Sequence, residues 1–217
     1  MKSYVVIGLG RFGNALALEL KNLGNQVLVL DNDEKRVEAI KEKVDEAVIG
    51  DATDREVLQE FIDKNVDGVI LNLGEAGLEA SALTTLNLAA MEIERIIVKV
   101  ETRAFGEIVR AIGATEVVNP EEEGGRQLAN RLHSSNLIEH IPLAPDHDII
   151  EMTVPDKFVG RTLRELRLKS KLGVFVIAVK NTETDEFDLI PEPDYELKED
   201  FAIVVIGKKK ALDKLKE

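Results

Sequence analysis

No cysteine occurs anywhere in the 217 residues, so neither a disulfide nor a thiolate metal site can hold the fold. Uncharged apolar runs are also short. The longest candidate, Ala80 to Met91, contains Ser81, Thr84, Thr85 and Asn87 and falls below the roughly 18 residues of a membrane span. Positive charge is in deficit: 28 Lys and Arg against 41 Asp and Glu give a net charge of −13 and a pI near 4.8. A chain this acidic repels phosphate backbones, so no nucleic-acid partner is expected. The opening Met-Lys-Ser-Tyr runs straight into an apolar strand, which leaves no room for a signal peptide. The length suits one large or two small domains with ample core. These exclusions point to a cytoplasmic protein; if it serves a membrane, it does so as a peripheral subunit.

What is present begins at once. Residues 4–13 read Tyr-Val-Val-Ile-Gly-Leu-Gly-Arg-Phe-Gly: a continuous apolar run, as in a buried parallel strand, followed by Gly8, Gly10 and Gly13 in the spacing G-x-G-x-x-G. Gly8 allows a tight turn, Gly10 leaves room for a pyrophosphate, and Gly13 lets a helix pack closely on the strand. The helix N-terminus offers free N–H groups and partial positive charge to that pyrophosphate. A helix over Asn14–Leu23 and a second strand over Gln26–Leu30 follow, ending in Asp31, 18 residues beyond Gly13. That is close to the spacing of a ribose-binding carboxylate.

Strand and helix signals then alternate. A helix over Asp33–Lys43 presents Val37 and Ile40 on one face, and Ala47–Ile49 is a short third strand. Thr53 with Glu56 reads as a capping box for a helix over Asp54–Ile62. Strands over Gly68–Leu71, Arg95–Val100 and Glu116–Val118 alternate with helices over Ala76–Met91 and Arg103–Ile112, and Pro120 opens a helix over Glu121–Leu132. Six strands with helices between them predict a doubly wound, Rossmann-like α/β sheet in the order 3-2-1-4-5-6.

Ligands in such sheets sit beyond the carboxyl ends of the strands, where Asp31, Asp51, Asn72 and Lys99 fall. Asp31 either accepts from ribose hydroxyls, disfavouring a 2′-phosphate, or caps the next helix. Asp51 either approaches the adenine or caps. Lys99, inside Ile-Ile-Val-Lys-Val, either reaches an anion or carboxylate or snorkels to water. Arg11 inside the glycine turn either holds extra phosphate charge in a bidentate fork or is a solvated residue at the helix start.

The pattern changes near Ser134-Ser135-Asn136, dividing a domain over 1–134 from a smaller α+β lobe over 135–217. The lobe reads as strands over 149–154, 174–179 and 201–206, a helix over Thr162–Leu168 and a basic helix over Lys208–Lys216. His133, His140 and His147 recur every seven residues, but Pro142 and Pro145 break any helix that would align them on a metal. No residue suits the acid–base role a dehydrogenase needs beside a nicotinamide, so no catalytic residue is assigned. A small NAD-dependent oxidoreductase is the alternative.

Carried by Val-Ile-Gly-Leu-Gly-Arg-Phe-Gly (6–13), Val-Leu-Asp (29–31), Ala-Leu-Thr-Thr-Leu (82–86), Val-Lys-Val (98–100), Gly-Ala-Thr-Glu-Val-Val-Asn-Pro-Glu (113–121), Val-Gly-Arg-Thr-Leu-Arg-Glu-Leu (159–166) and Gly-Val-Phe-Val-Ile-Ala-Val-Lys (173–180), the whole chain resembles the regulator-of-K⁺-conductance (RCK) proteins, in particular the nucleotide-binding subunits of Trk/Ktr potassium uptake systems. The resemblance implies a cytoplasmic subunit that binds ATP, ADP or NAD(H), forms dimers within an eight-lobed ring, and controls a separate membrane potassium-translocating subunit. It also implies that Arg11 meets terminal phosphates. Glu121 would hold a divalent cation between subunits, or else simply favours the positive end of its helix. One Rossmann domain and one lobe per chain require self-assembly to make a ring. The candidate nucleotide-contacting residues are Gly8, Gly10, Arg11, Phe12, Gly13, Asp31, Asn32, Asp51, Ala52, Asn72, Leu73, Gly74, Lys99 and Arg103.

Overall fold

The structure, a computed structural model, describes residues 1–74, 77–133 and 136–216. It divides into two compact units, Met1–Glu123 and Gly124–Glu217. The boundary expected between 134 and 135, and Ala76, the expected start of the fourth helix, lie outside the described residues.

The first unit is built on β1 (Ser3–Ile7), β2 (Gln26–Asp31), β3 (Glu46–Ile49), β4 (Gly68–Leu71), β5 (Ile96–Lys99) and β6 (Glu116–Val118). All pair in parallel in one six-stranded sheet, ordered β3-β2-β1-β4-β5-β6 as expected. The apolar run in β1 follows from this central position, since both of its faces are covered. Val5 and Ile7 pack with Leu58 of α3 (Arg55–Phe61), Leu88 of α4 (Leu78–Ala90) and Val109 of α5 (Arg103–Ala111). Val6 points the other way, towards Ala17 of α1 (Arg11–Asn22) and Val37 and Ile40 of α2 (Glu34–Ile40).

Three local expectations need correction. Helix α1 begins at Arg11, with Gly10 as its N-cap, so Gly13 lies inside the first turn instead of ahead of the helix. Helix α2 gives way after Ile40 to a 3-10 turn over Lys41–Lys43. The Thr53 capping box does not form. Asp54 is the N-cap of α3 and its carboxylate accepts from the Glu56 N–H at 2.8 Å. An aspartate at that position both accepts the bond and favours the positive helix end. The Thr53 hydroxyl is turned away and donates to Asp51 at 2.7 Å.

Helix α6 (Pro120–His133) follows β6. The second unit carries an antiparallel sheet ordered β10-β9-β11-β8-β7, with β7 (Leu137–Ala144), β8 (His147–Thr153), β9 (Phe175–Asn181), β10 (Phe187–Leu189) and β11 (Phe201–Lys208). Strands β7 and β10 were not expected from the sequence. Both lie at sheet edges, and β7 carries Pro142, which an edge tolerates because its missing N–H owes no ladder bond. The helix expected over Thr162–Leu168 is two short ones, α7 (Leu163–Leu166) and α8 (Leu168–Leu172), parted by Arg167 in the left-handed region at φ 50°. Helix α9 (Lys209–Lys216) packs Leu212 and Leu215 into this unit's core.

A Cβ on Gly13 would stand 2.0 Å from the Gly8 carbonyl oxygen, whereas one on Gly125 in α6 would meet nothing within 4 Å. Gly13→Ala should therefore lower the unfolding free energy by about 1–3 kcal/mol or more, from overpacking against backbone. Gly125→Ala should leave stability unchanged or raise it by up to about 1 kcal/mol. Urea unfolding of both variants checks the contrast.

Candidate nucleotide-binding cleft

At the carboxyl ends of β1, β2, β3 and β4 the chain encloses a cleft of about 280 Å³. Its walls include Gly8, Asp31, Asn32, Arg36, Asp51, Ala52, Thr53, Asn72 and Leu73. The turn between β1 and α1 is fixed from three sides. Gly8 sits at φ 91°, and a Cβ there would lie 2.2 Å from the Asn72 carbonyl oxygen. Its N–H donates to the Leu30 carbonyl at 2.8 Å, and the Asn72 side-chain amide donates to its carbonyl at 3.1 Å. The Leu9 N–H donates to Asp31 Oδ2 at 2.5 Å.

Those bonds leave the start of α1 open. No side chain caps it and its first turn contains no acid, so its leading N–H groups have no side-chain acceptor and the positive end of its dipole is not offset. This is the arrangement in which helix N-termini take up phosphate.

Asp31 is joined to the turn just before that helix through its bond from Leu9. It is 5 % exposed, and its second oxygen accepts from the Asp33 N–H at 2.8 Å. Asp31 is not the cap of α2; Asp33 is, accepting from Lys35 N–H at 2.9 Å. Two fixed backbone donors hold the Asp31 carboxylate in place and leave a lone pair on each oxygen.

Asp51 accepts from both the N–H (2.9 Å) and the hydroxyl (2.7 Å) of Thr53, and these bonds hold its carboxyl below the usual range. The Asp51–Thr53 loop is in turn carried by α4. Thr84 donates its hydroxyl to the Ala52 carbonyl at 3.0 Å, and the Asn87 amide donates to the Thr53 carbonyl at 3.1 Å. Arg36, Thr53, Thr84 and Asn87 were not anticipated as parts of the site. For the last two a signal existed: polar residues three apart on a helix otherwise rich in Leu and Ala.

Of the other expected residues, Gly10 is the N-cap of α1, Gly13 lies in its first turn, and Arg11, Phe12, Gly74, Lys99 and Arg103 do not line this cleft. Arg11 is exposed at the first position of α1. Phe12 lines an apolar groove with Tyr4, Leu16, Ile70 and Ile97. Gly74, at φ 72°, borders a small void next to Lys99. Lys99, with only 9 % of its side chain exposed, places Nζ 2.7 Å from Glu121 Oε1, and Arg103 pairs with Glu122 at 2.6 Å. The Lys99 bond is the main cause holding the Glu121 carboxyl below its ordinary range. Among the described residues, no three His, Asp or Glu side chains gather as a metal centre would need. His140 Nε2 lies 2.7 Å from Asp148, and His147 Nδ1 lies 2.7 Å from Asp146.

Fold and cleft together define a Rossmann-like domain joined to a small α+β lobe. The chain belongs to the TrkA family: residues 4–120 match the TrkA-N domain and residues 149–217 the TrkA-C domain. It is 32 % identical over 206 residues to Ktr system potassium uptake protein C of Bacillus subtilis (strain 168), covering 95 % of this chain and 92 % of that one. Ktr system potassium uptake protein A of Vibrio alginolyticus is also 32 % identical, over 99 % of this chain and 97 % of its own. Among solved structures, the GsuK RCK domain superposes with a TM-score of 0.69 at 22 % identity, over 99 % of this chain and 47 % of that chain. The GsuK channel bound to NAD gives the same TM-score and identity, over 100 % of this chain and 39 % of that one, so the present chain spans less than half the length of either GsuK chain. Among the described residues, no helix is long and apolar enough to cross a membrane.

The Lys99–Glu121 pair sets a pH dependence. Because the folded Glu121 carboxyl titrates below its ordinary value of 4.5, its contribution to stability is present above that value and is lost as pH falls through the folded one. Glu121→Gln should lower the melting temperature at neutral pH, and the deficit should shrink as pH drops below 4.5. Thermal unfolding of both proteins between neutral and acid pH checks the sign.

Proposed function

We propose that this chain is the cytoplasmic, nucleotide-gated regulatory subunit of a potassium uptake system, peripheral to the inner face of the membrane. It binds ATP, ADP or NAD(H) in the cleft of the first unit. As a dimer within an octameric ring, it controls a separate membrane subunit that moves the ion. The observation that carries this reading is the uncapped N-terminus of α1, with the turn just before it held to the buried Asp31 carboxylate that lines the cleft. Phosphate suits the helix end, ribose hydroxyls suit the carboxylate, and the two are joined in every adenine nucleotide. The Ktr relatives, similar along nearly their whole lengths, support placing that cleft in potassium uptake.

Gating requires ligands that interact differently with two states of the ring. Arg11 suits that task. It stands beside the glycine turn with its side chain in solvent, where an added phosphate, or a neighbouring subunit's nucleotide, can meet it. Glu121 is the candidate for a divalent cation between subunits, in which case the cation takes the place of the Lys99 ammonium.

Arg11→Ala should weaken ATP more than AMP, by about 1–2 kcal/mol, because a charge-assisted contact grows with the charge it meets. Calorimetry with ATP, ADP and AMP at one salt concentration measures this; equal losses for all three would remove Arg11 from phosphate reading. The role itself is tested by reconstituting the chain with its membrane subunit in vesicles. Potassium flux should change between ATP and ADP, and flux indifferent to nucleotide would contradict the proposal.

A further inference from the structure

Arg36 lines the cleft but has been given no role so far, and its position is unfavourable on local grounds. It is the third residue of α2, after the cap Asp33, and a cation in the first turn opposes the helix dipole. A glutamate there would complete a capping box instead. Side chains on a helix lean towards its N-terminus, so Arg36 is directed back over the end of β2 and into the cleft wall. It is the one cation among the described residues that line the cleft. Local rules are broken in this way mainly where function requires it.

Its contacts are loose. The guanidinium lies 3.5 Å from Asp31 Oδ2 and 3.5 Å from Asp33 Oδ2, with 53 % of the side chain exposed. Charge-assisted hydrogen bonds are shorter, about 2.7–2.9 Å. Asp31 is thus held firmly by backbone and only leaned upon by Arg36. A ribose hydroxyl can replace the guanidinium at Oδ2 without disturbing the carboxylate.

Resting on nucleotide binding in this cleft, we propose that Arg36 is the residue that recognises the base, by laying its guanidinium plane on the face of the purine. The geometry follows from the order of parts in a nucleotide. With phosphate at the start of α1 and ribose at Asp31, a base on C1′ must extend away from the phosphates. That direction leads past β2 towards the Asp51–Thr53 loop, with Arg36 on the near wall. Arginine is suited to stack on a flat ring, where lysine offers only a point charge.

The test is calorimetry on the full chain with ADP, CDP, NAD and NADP, for wild type, Arg36→Ala and Arg36→Lys. Stacking predicts that wild type prefers ADP to CDP. Both variants should lose about tenfold in ADP affinity and less for CDP, so that the preference shrinks. Without nucleotide, the melting temperature of Arg36→Ala should be unchanged or slightly higher, since a cation leaves the helix start, and that of Arg36→Lys should be unchanged. Three results overturn the assignment. Unchanged ADP affinity in Arg36→Ala removes Arg36 from the base. Full retention in Arg36→Lys means that charge alone is used. A loss confined to NADP assigns the residue to a 2′-phosphate. A wild-type chain that binds none of the four ligands overturns the nucleotide reading and this role with it, an outcome distinct from the other three.

Discussion

The first unit depends on one short contact, the Leu9 N–H held by the buried Asp31 carboxylate. It joins the turn after β1 to the end of β2, and both then have one position relative to each other. Gly8 lets the turn approach the Asn72 backbone after β4, and Gly13 lets α1 pack on the turn, because a Cβ on either would overlap backbone at 2.0–2.2 Å. Asn72 closes the third side through its bond to the Gly8 carbonyl. The free end of α1 and the remaining lone pairs of Asp31 follow from this packing. A buried carboxylate must be hydrogen-bonded, and here two backbone donors meet that need while leaving capacity for a ligand.

The cleft is held by hydrogen bonds at the glycine turn, at Asp31 and at the Asp51–Thr53 loop. The Asp51–Thr53 loop is carried by two long-range bonds from α4, while Arg36 rests at ion-pair distance from two carboxylates. Helix α4 links the cleft wall to the sheet core through Leu88 and also leaves Leu83 and Leu86 about half exposed. A shift of the loop on binding would be felt by the helix that holds it. This is the kind of element through which a ligand can bias an assembly, provided it binds two states unequally.

Much of this was legible in the sequence, and the reasons for the misses are specific. The strand order, the glycine turn and the position of Asp31 follow from apolar run lengths and from spacing, which are local properties. Strands β7 and β10 were missed because edge strands carry weak alternation and tolerate proline. Thr53 and Asp54 are adjacent residues that both suit an N-cap, and the fold gives that place to Asp54 because the Thr53 hydroxyl is taken by Asp51. Several of the expected contact residues also have partners of their own in the fold. Lys99 pairs with Glu121, Arg103 with Glu122, and Phe12 faces an apolar groove away from the cleft. Spacing along the chain could not reveal those pairings. Nor could it find Arg36, whose importance lies in an unfavourable helix position and a direction that only the folded chain has.

The account centres on a nucleotide seated between the start of α1 and Asp31. Backbone hydrogen exchange with and without ATP tests this most directly, because the leading amides of α1 are unbonded in the free chain. The prediction is that ATP slows exchange at residues 10–13 and across the Asp31–Arg36 and Asp51–Thr53 segments, with ADP giving a weaker pattern at the same places. Protection absent from these three segments, or appearing only in the second unit, would contradict it.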